Sequence, residues 1–553
     1  MFDFTKHVST RLRRQVTPQA EPIPGSTQIP NSAGGHAWAV DHWTRLDRFL
    51  VLGAEGGTYY IGERTLTVEH AKAVVDCLAE DGVRVVRRTV EISESGRAPK
   101  NDPALFVLAM AAGLGDAATR AVALASLERV ARTGTHLFHW LQYVKAFRGW
   151  GRGVRTAVGR WYTRKSPADL AYQLLKYQSR DGWAHRDALR IAHPKAPSSE
   201  HDALFRFATR GWEAVAGSEA IRTDVGARLE AVQAIRHMSA EEAARVIRIY
   251  KLTREMVPTE LLSRPIVWYA LLDAMPLTAL IRNLGVMTKT GLLVPGAEAT
   301  RTVVARLGDR QAIRRARIHP LAVLAALKTY AQGAGMRGQN TWTANAQVID
   351  ALDGAFYLAF ENVEPTNKRV LLALDVSGSM QSPVHAMPYL SCREASAAMA
   401  LVSAAVEPNH RIVAFTNGAY PSQWSRTSIG LGSGLTPLAI SPRQRMDDVV
   451  QQISDVPFGG TDCALPMVEA LKHRWAVDTF VVYTDSETWA GEIHPAQALR
   501  AYRERMGIAA KLIVVAMTSN GFTIADPDDA GMLDVVGFDT ATPQVISDFA
   551  KMR

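Results

Sequence analysis

Cysteine is nearly absent from the 553 residues: Cys77, Cys392 and Cys463 stand far apart. Three distant thiols make neither a disulfide framework nor a zinc spacing such as C-x-x-C, which fits a reducing compartment. Each is expected as a buried, inert thiol. Long apolar runs are missing as well. None approaches the ~18–20 residues that span a bilayer, and the opening MFDFTKHVSTRLRRQ lacks the apolar stretch of a secretory leader. A cytoplasmic protein with no membrane partner is the expectation. Catalytic signatures are also wanting. There is no G-x-x-x-x-G-K-[ST] phosphate loop and no G-x-S-x-G elbow. A paired His, a His–Lys set or a two-metal carboxylate cluster, as a ribonuclease would need, is not recognisable. His136 and His139 lie three apart without a third ligand and read as core or surface histidines. Gly430–Gly434 follows no strand and opens no helix, so it reads as a loop. No enzymatic activity is expected.

What is present begins with size. A chain this long exceeds the roughly 250–300 residues at which a single core stops growing, so two or more domains are expected. At 47% hydrophobic and 21% charged residues, it has enough apolar material for large cores. The net charge of +9 is unevenly placed. From Lys368 onward there are 15 Lys/Arg against 19 Asp/Glu, and before it 48 against 35. The basic excess therefore belongs to the N-terminal two-thirds, which points to a polyanionic partner for that part.

Residues 1–35 are polar and rich in Pro and Gly and read as an extended arm. From 36 to 365 the sequence is a succession of helical patterns. PALFVLAMAAGL, PADLAYQLLKYQ, EEAARVIRIYKL, MPLTALIRNLGVM and HPLAVLAALKTYAQ each place apolar residues at i, i+3, i+4 and i+7. VRVVRRTVEI is the one stretch with strand-like alternation. Many consecutive helices without a strict period suit a degenerate α-solenoid of stacked pairs. From 366 to 553 the order becomes strand then helix, repeatedly. RVLLALD, HRIVAFT, DTFVVYTD and KLIVVAM are the strands, and the pattern implies a mostly parallel sheet covered on both faces.

The first of these strands ends in Asp375-Val376-Ser377-Gly378-Ser379. A strand running into a tight turn aims alternate side chains, here Ser377 and Ser379, at one point, with Asp375 beneath. Ligands of open α/β sheets bind at that carboxyl edge. Gly459-Gly460-Thr461-Asp462 adds a hydroxyl on a glycine-rich loop, and Tyr483-Thr484-Asp485-Ser486 places a second carboxylate at another strand end. Hydroxyls and carboxylates are hard oxygen ligands suited to Mg²⁺. The alternative use of such residues is helix capping and turn formation. The five-part order resembles the metal-ion-dependent adhesion site of von Willebrand A-type domains. By that resemblance Ser377, Ser379 and Thr461 contact the metal, Asp375 and Asp485 act directly or through water, and an acidic group of a ligand fills the open position. Gly378 is small enough to keep the turn.

The most basic stretch is KAFRGWGRGVRTAVGRWYTRK (145–165), with seven Lys/Arg and no acid. Lys145, Arg148, Arg152 and Arg155 step by three and four, as on one face of a continuous helix. KYQSRDGWAHRDALRIAHPK follows. Its Lys and Arg suit phosphates and its Trp, Tyr and His suit unpaired bases.

GTYYIGER, THLFHW, KYQSRDGWAHRDALRIAHPKAPSSE, ARIHPLAVLAALKTY, GGTDCALPM, HPAQALRAYRERM and MTSNGFTIADPDDAGMLDVVGFD together resemble the Ro autoantigen family of TROVE-domain proteins, from about Asn31 to the C-terminus, and within it a bacterial member. The resemblance implies HEAT-like helical repeats closed into a ring, with the A-type domain joining the ring's ends. It implies Y RNA on the basic outer surface and single-stranded 3′ ends of misfolded RNAs threaded through the hole. Polynucleotide phosphorylase or another exoribonuclease is the implied partner, and a ring closed within one chain implies a monomer. The family's RNA-contacting Lys, Arg and His fall on Lys176, Arg180 and His193. His185, Arg186 and Arg190 join them on charge and proximity, and Arg152 and Arg155 from the basic stretch. The rival reading is a metal-dependent adhesion or docking module on a passive helical platform.

Overall fold

The structure, a computed structural model, describes residues 16–39, 42–52, 71–95, 100–335, 340–384, 387–416, 434–456, 460–486, 488–517, 522–536 and 542–551. Gly57–Arg64, Gly459, residues 430–433 and the first fifteen residues of the arm lie outside these. The chain divides into two compact units. One comprises Met1–Ile61, His319–Ala325 and Ala359–Arg553, the other Gly62–Ile318 and Ala326–Leu358.

The second unit is helical. Its helices carry the capping signals of the sequence. Ser166 accepts from the Asp169 amide ahead of Pro167, Asp116 accepts from Thr119, and Ser239 and Glu242 form a reciprocal capping box. Asp102–Leu114 is apolar all round, with Pro103 to Ala112 buried. That pattern demands neighbours on every side, and the helices Lys72–Ser95, Ala117–Ala125 and Gly134–Phe147 supply them.

Two expectations are corrected here. VRVVRRTVEI is helical, within Lys72–Ser95. Its β-branched residues favour a strand, but Gly82, Val85, Val86, Thr89, Val90 and Ser93 are buried at helical spacing, and packing decides. The continuous basic helix is also broken. Gly134–Phe147 ends at Arg148, Gly149 takes φ +76°, and a new helix starts at Arg152. Gly149-Trp150-Gly151 thus separates Lys145 and Arg148 from Arg152 and Arg155.

The other unit is built on a six-stranded sheet. In order across it run Met532–Val536, Lys511–Ala516, Thr479–Thr484, Val370–Asp375, His410–Phe415 and Leu435–Pro437, the first five parallel and the last antiparallel. The four expected strands are all present. The two central ones, Val370–Asp375 and Thr479–Thr484, are buried at every residue, as a sheet covered on both faces requires. Leu371, Ala373, Phe480, Val482, Leu512 and Val514 pack on one face against Met467, Ala470, Leu499 and Tyr502.

The described part of the arm belongs to this α/β unit. Gln28–Pro30 and His36–Ala39 form an antiparallel hairpin that Phe522–Thr523 extends. The described part of the arm is therefore held against the α/β unit, and the boundary expected between 35 and 36 falls inside the hairpin. No described helix is long and apolar enough to cross a membrane.

Candidate metal centre and nucleic-acid interface

The sheet order makes a crevice. From Val370–Asp375 the chain moves to His410–Phe415 on one side, and from Thr479–Thr484 it moves to Lys511–Ala516 on the other. These two adjacent strands flank the switch point, where α/β folds bind ligands. Asp375 closes one strand and Asp485 follows the other.

Asp375 Oδ1 accepts the Ser377 amide at 2.8 Å, which bends the chain so that the Ser377 and Ser379 hydroxyls meet at 3.0 Å. Thr484 Oγ1 donates to Asp375 Oδ2 at 2.7 Å and accepts the Ser486 amide at 3.1 Å. Cys463 Sγ lies 3.6 Å from Thr484 Oγ1, which ties the Thr461 loop to the same strand end. Asp375, Ser377, Thr461 and Asp485 are all buried. Burial first, and then the charge of Asp485, pushes the Asp375 carboxyl up to about 6. The Ser486 hydroxyl is buried and has no partner among the described residues, at a residue with φ +64°.

Two buried carboxylates that repel one another, with hydroxyls beside them, are a donor set that a small divalent cation would complete. The residues fit Mg²⁺. Sequence reasoning missed Thr484 and Ser486. They stand in the same four-residue run as Asp485, so the signal was present.

In the helical unit, Arg152, Arg155 and Lys195 line an open groove of about 720 Å³ with Trp150, Thr156, Thr163 and Pro194. Arg152, Arg155, Arg180, Arg186, Arg190 and His193 are exposed. Trp150 meets Trp183 edge-on, with ring centroids 5.2 Å apart, and Lys145 lies 6.0 Å from the Trp183 ring. Trp183 sits on a short hairpin, Ser179–Arg180 with Trp183–Ala184, that presents Arg180. His139, buried in the helix beneath, holds the hairpin turn through Asp181 at 2.6 Å. Lys176 is half-buried and bonds the Tyr172 hydroxyl at 2.8 Å. His193 caps the helix His185–Ala192 in the left-handed conformation, φ 46°. The aromatic pair thus joins the Arg180 hairpin to the groove, and the role of Trp150 was not foreseen.

His185 is the exception. It is 4% exposed, its Nδ1 is 2.8 Å from the Tyr162 hydroxyl, and its ring packs among Phe138, Trp161 and Tyr162. Burial drops it to about 4. It is a core histidine, neutral at pH 7, and is corrected out of the RNA-facing set.

A helical unit followed by an α/β unit with this site defines a TROVE plus A-type architecture. The TROVE domain model matches residues 29–250 and 240–329, and the Ro60 vWA domain model matches 369–550. The RNA-binding protein RO60 of Deinococcus radiodurans is 42% identical over 97% of this chain and 97% of that protein. RO60 of Caenorhabditis elegans is 36% identical over 94% of this chain and 90% of that protein. The crystal structure of the Deinococcus radiodurans Ro (RSR) protein superposes with a TM-score of 0.73 at 42% identity, covering 92% of this chain and 99% of that one. The chain belongs to the Ro family of RNA-binding proteins, as a bacterial orthologue.

Proposed function

We propose that this protein is a ribonucleoprotein scaffold that binds Y RNA and the single-stranded 3′ ends of misfolded or noncoding RNAs. Its work is RNA quality control, maturation or decay in the cytoplasm. It acts as a monomer without catalysis of its own, and it hands RNA to polynucleotide phosphorylase or another exoribonuclease. The observation that carries this reading is the exposed cationic groove of Arg152, Arg155 and Lys195, with Trp150 at its wall and the Arg180 hairpin beside it. Cations spaced along a groove neutralise phosphates, and aromatic faces stack on unpaired bases. Both fit structured RNA with an unpaired tail better than uniform duplex, whose A-form groove hides its base edges. Selection then rests on shape and a free end, and affinity on phosphate contacts.

The metal site supports a second, compatible role. Ser377, Ser379 and Thr461, with Asp375 and Asp485, would hold Mg²⁺, and the bound cation would attract an acidic group of a docking protein. Measuring the nucleic acid that co-purifies with the chain, before and after a high-salt wash, tests the first role against the second as the main one. RNA that is retained at low salt and released at high salt is expected. A protein free of nucleic acid at low salt would leave the docking role alone.

A further inference from the structure

The N-terminal segment enters the metal site's framework through one side chain. Gln19 is fully buried in the α/β unit. Its Nε2 donates to Asp462 Oδ1 at 2.7 Å and to the Ile493 carbonyl at 2.8 Å. Its Oε1 accepts from the Thr488 hydroxyl. Its backbone amide donates to the Gly491 carbonyl at 2.9 Å, and its carbonyl accepts from His36 at 2.8 Å. Both side-chain heteroatoms are thus committed, and each reaches a loop of the candidate metal centre. Asp462 is the neighbour of Thr461, and its Oδ1 also accepts the Ala464 amide at 3.0 Å, which sets the turn into the helix Leu465–Lys472. Thr488 lies three residues beyond Asp485, and its hydroxyl faces the Thr461 carbonyl at 3.4 Å and the Cys463 amide at 3.2 Å.

A second strut lies close by. Asn31 Nδ2 donates to the Thr488 carbonyl at 2.7 Å, and a side chain at Gly35 would overlap that same carbonyl. Gly491, packed against both Gln19 and Asp462, has no room for a Cβ either. Two of the three pieces that form the site, the Thr461 loop and the segment after Asp485, are thereby cross-linked through residues more than 440 positions away in the chain.

We infer that Gln19 is a positioning residue for the metal site, and that docking of residues 16–39 and occupation of the site are energetically linked. This rests on the reading of that site as a metal centre. Outer-shell groups that orient ligands weaken metal binding about 10–100-fold when removed. Linkage also requires the converse: if the docked segment favours metal, metal favours the docked segment.

The experiment uses the full chain with Mn²⁺ as an electron paramagnetic probe. Gln19→Leu is expected to weaken Mn²⁺ binding by about tenfold or more. Arg369→Leu, which removes an ion pair with Asp478 in the α/β unit but touches neither loop nor residues 16–39, leaves it unchanged. In the wild type, saturating Mn²⁺ slows hydrogen exchange at the Gln19 and His36 amides, a readout that survives even if the variant folds poorly. A Gln19 that only stabilises the fold would lower the melting temperature and leave both metal affinity and metal-dependent exchange unmoved, which overturns the inference. Wild-type protein that binds no Mn²⁺ removes the metal-site reading and this inference with it. Equal binding by wild type and Gln19→Leu removes this inference alone.

Discussion

His185 offers the sharpest separation between a residue that shapes the RNA surface and one that touches RNA. Its Nε2 lies 3.3 Å from the Gln173 carbonyl, so that nitrogen carries the proton and Nδ1 accepts from the Tyr162 hydroxyl at 2.8 Å. Protonation would put a second N–H against that hydroxyl inside an apolar shell. The fall from the ordinary 6.5 to about 4 corresponds to about 3 kcal/mol. The folded value is depressed, so this stability is complete above pH 6.5 and is lost as the pH falls toward 4. Truncation to alanine removes a packed ring and strips the Tyr162 hydroxyl of its acceptor, at a cost of about 3–5 kcal/mol. The assay is denaturant unfolding of wild type and His185→Ala from pH 7.5 to 4, with exchange of the 134–210 amides to localise the change. His136 and His319 are also held near 4 by burial, so the wild type's total pH dependence is shared. The gap between the two proteins isolates His185, and it should narrow by about 3 kcal/mol across that range. RNA affinity at pH 7.5, below the unfolding midpoint, should be unchanged. An alanine variant as stable as wild type with RNA affinity reduced tenfold would refute the reasoning.

Other perturbations have defined outcomes. Arg152→Ala/Arg155→Ala/Lys195→Ala should flatten the dependence of log affinity on log salt by roughly 2–3, near 0.9 for each phosphate no longer neutralised, as read by fluorescence anisotropy; an unchanged slope would take the groove out of the interface. Gly149→Ala meets no atom but forces a side chain to φ +76°, at a cost of about 1–2 kcal/mol in the helical unit's unfolding. Saturating Mg²⁺ at a hundredfold over its Kd should stabilise the α/β unit by about 2.7 kcal/mol. Ser377→Ala/Thr461→Ala should abolish that increment, and a variant that keeps it would show the cation sits elsewhere.

Much of this architecture was legible in the sequence because period and punctuation agree. The four Val- and Ile-rich strands, the D-x-S-x-S turn and the helical run each carry a local signal, and the sheet places Asp375 and Asp485 at adjacent strand ends as their positions imply. The helix break was also readable, since Gly149 and Gly151 flank Trp150 and only glycine enters φ +76° at no cost. His185 was misread because its neighbour in sequence, Arg186, is exposed. The helical period tells otherwise, since His185, Ala188 and Leu189 share the buried face while Arg186 and Arg190 share the wet one. Gln19 carries no local signal at all. A glutamine in a Pro-rich arm becomes a buried strut only because the tertiary fold brings Asp462 and Thr488 to it.

The most direct test of the central claim is binding of a structured RNA with a single-stranded 3′ tail, against the same RNA with a blunt end. Wild type is compared with Lys176→Ala/Arg180→Ala/His193→Ala across a salt series. The account predicts tighter binding of the tailed RNA, steep loss with salt, and marked weakening by the triple substitution. Equal and weak binding of both RNAs by both proteins would contradict it and leave the metal centre as the working part of the molecule.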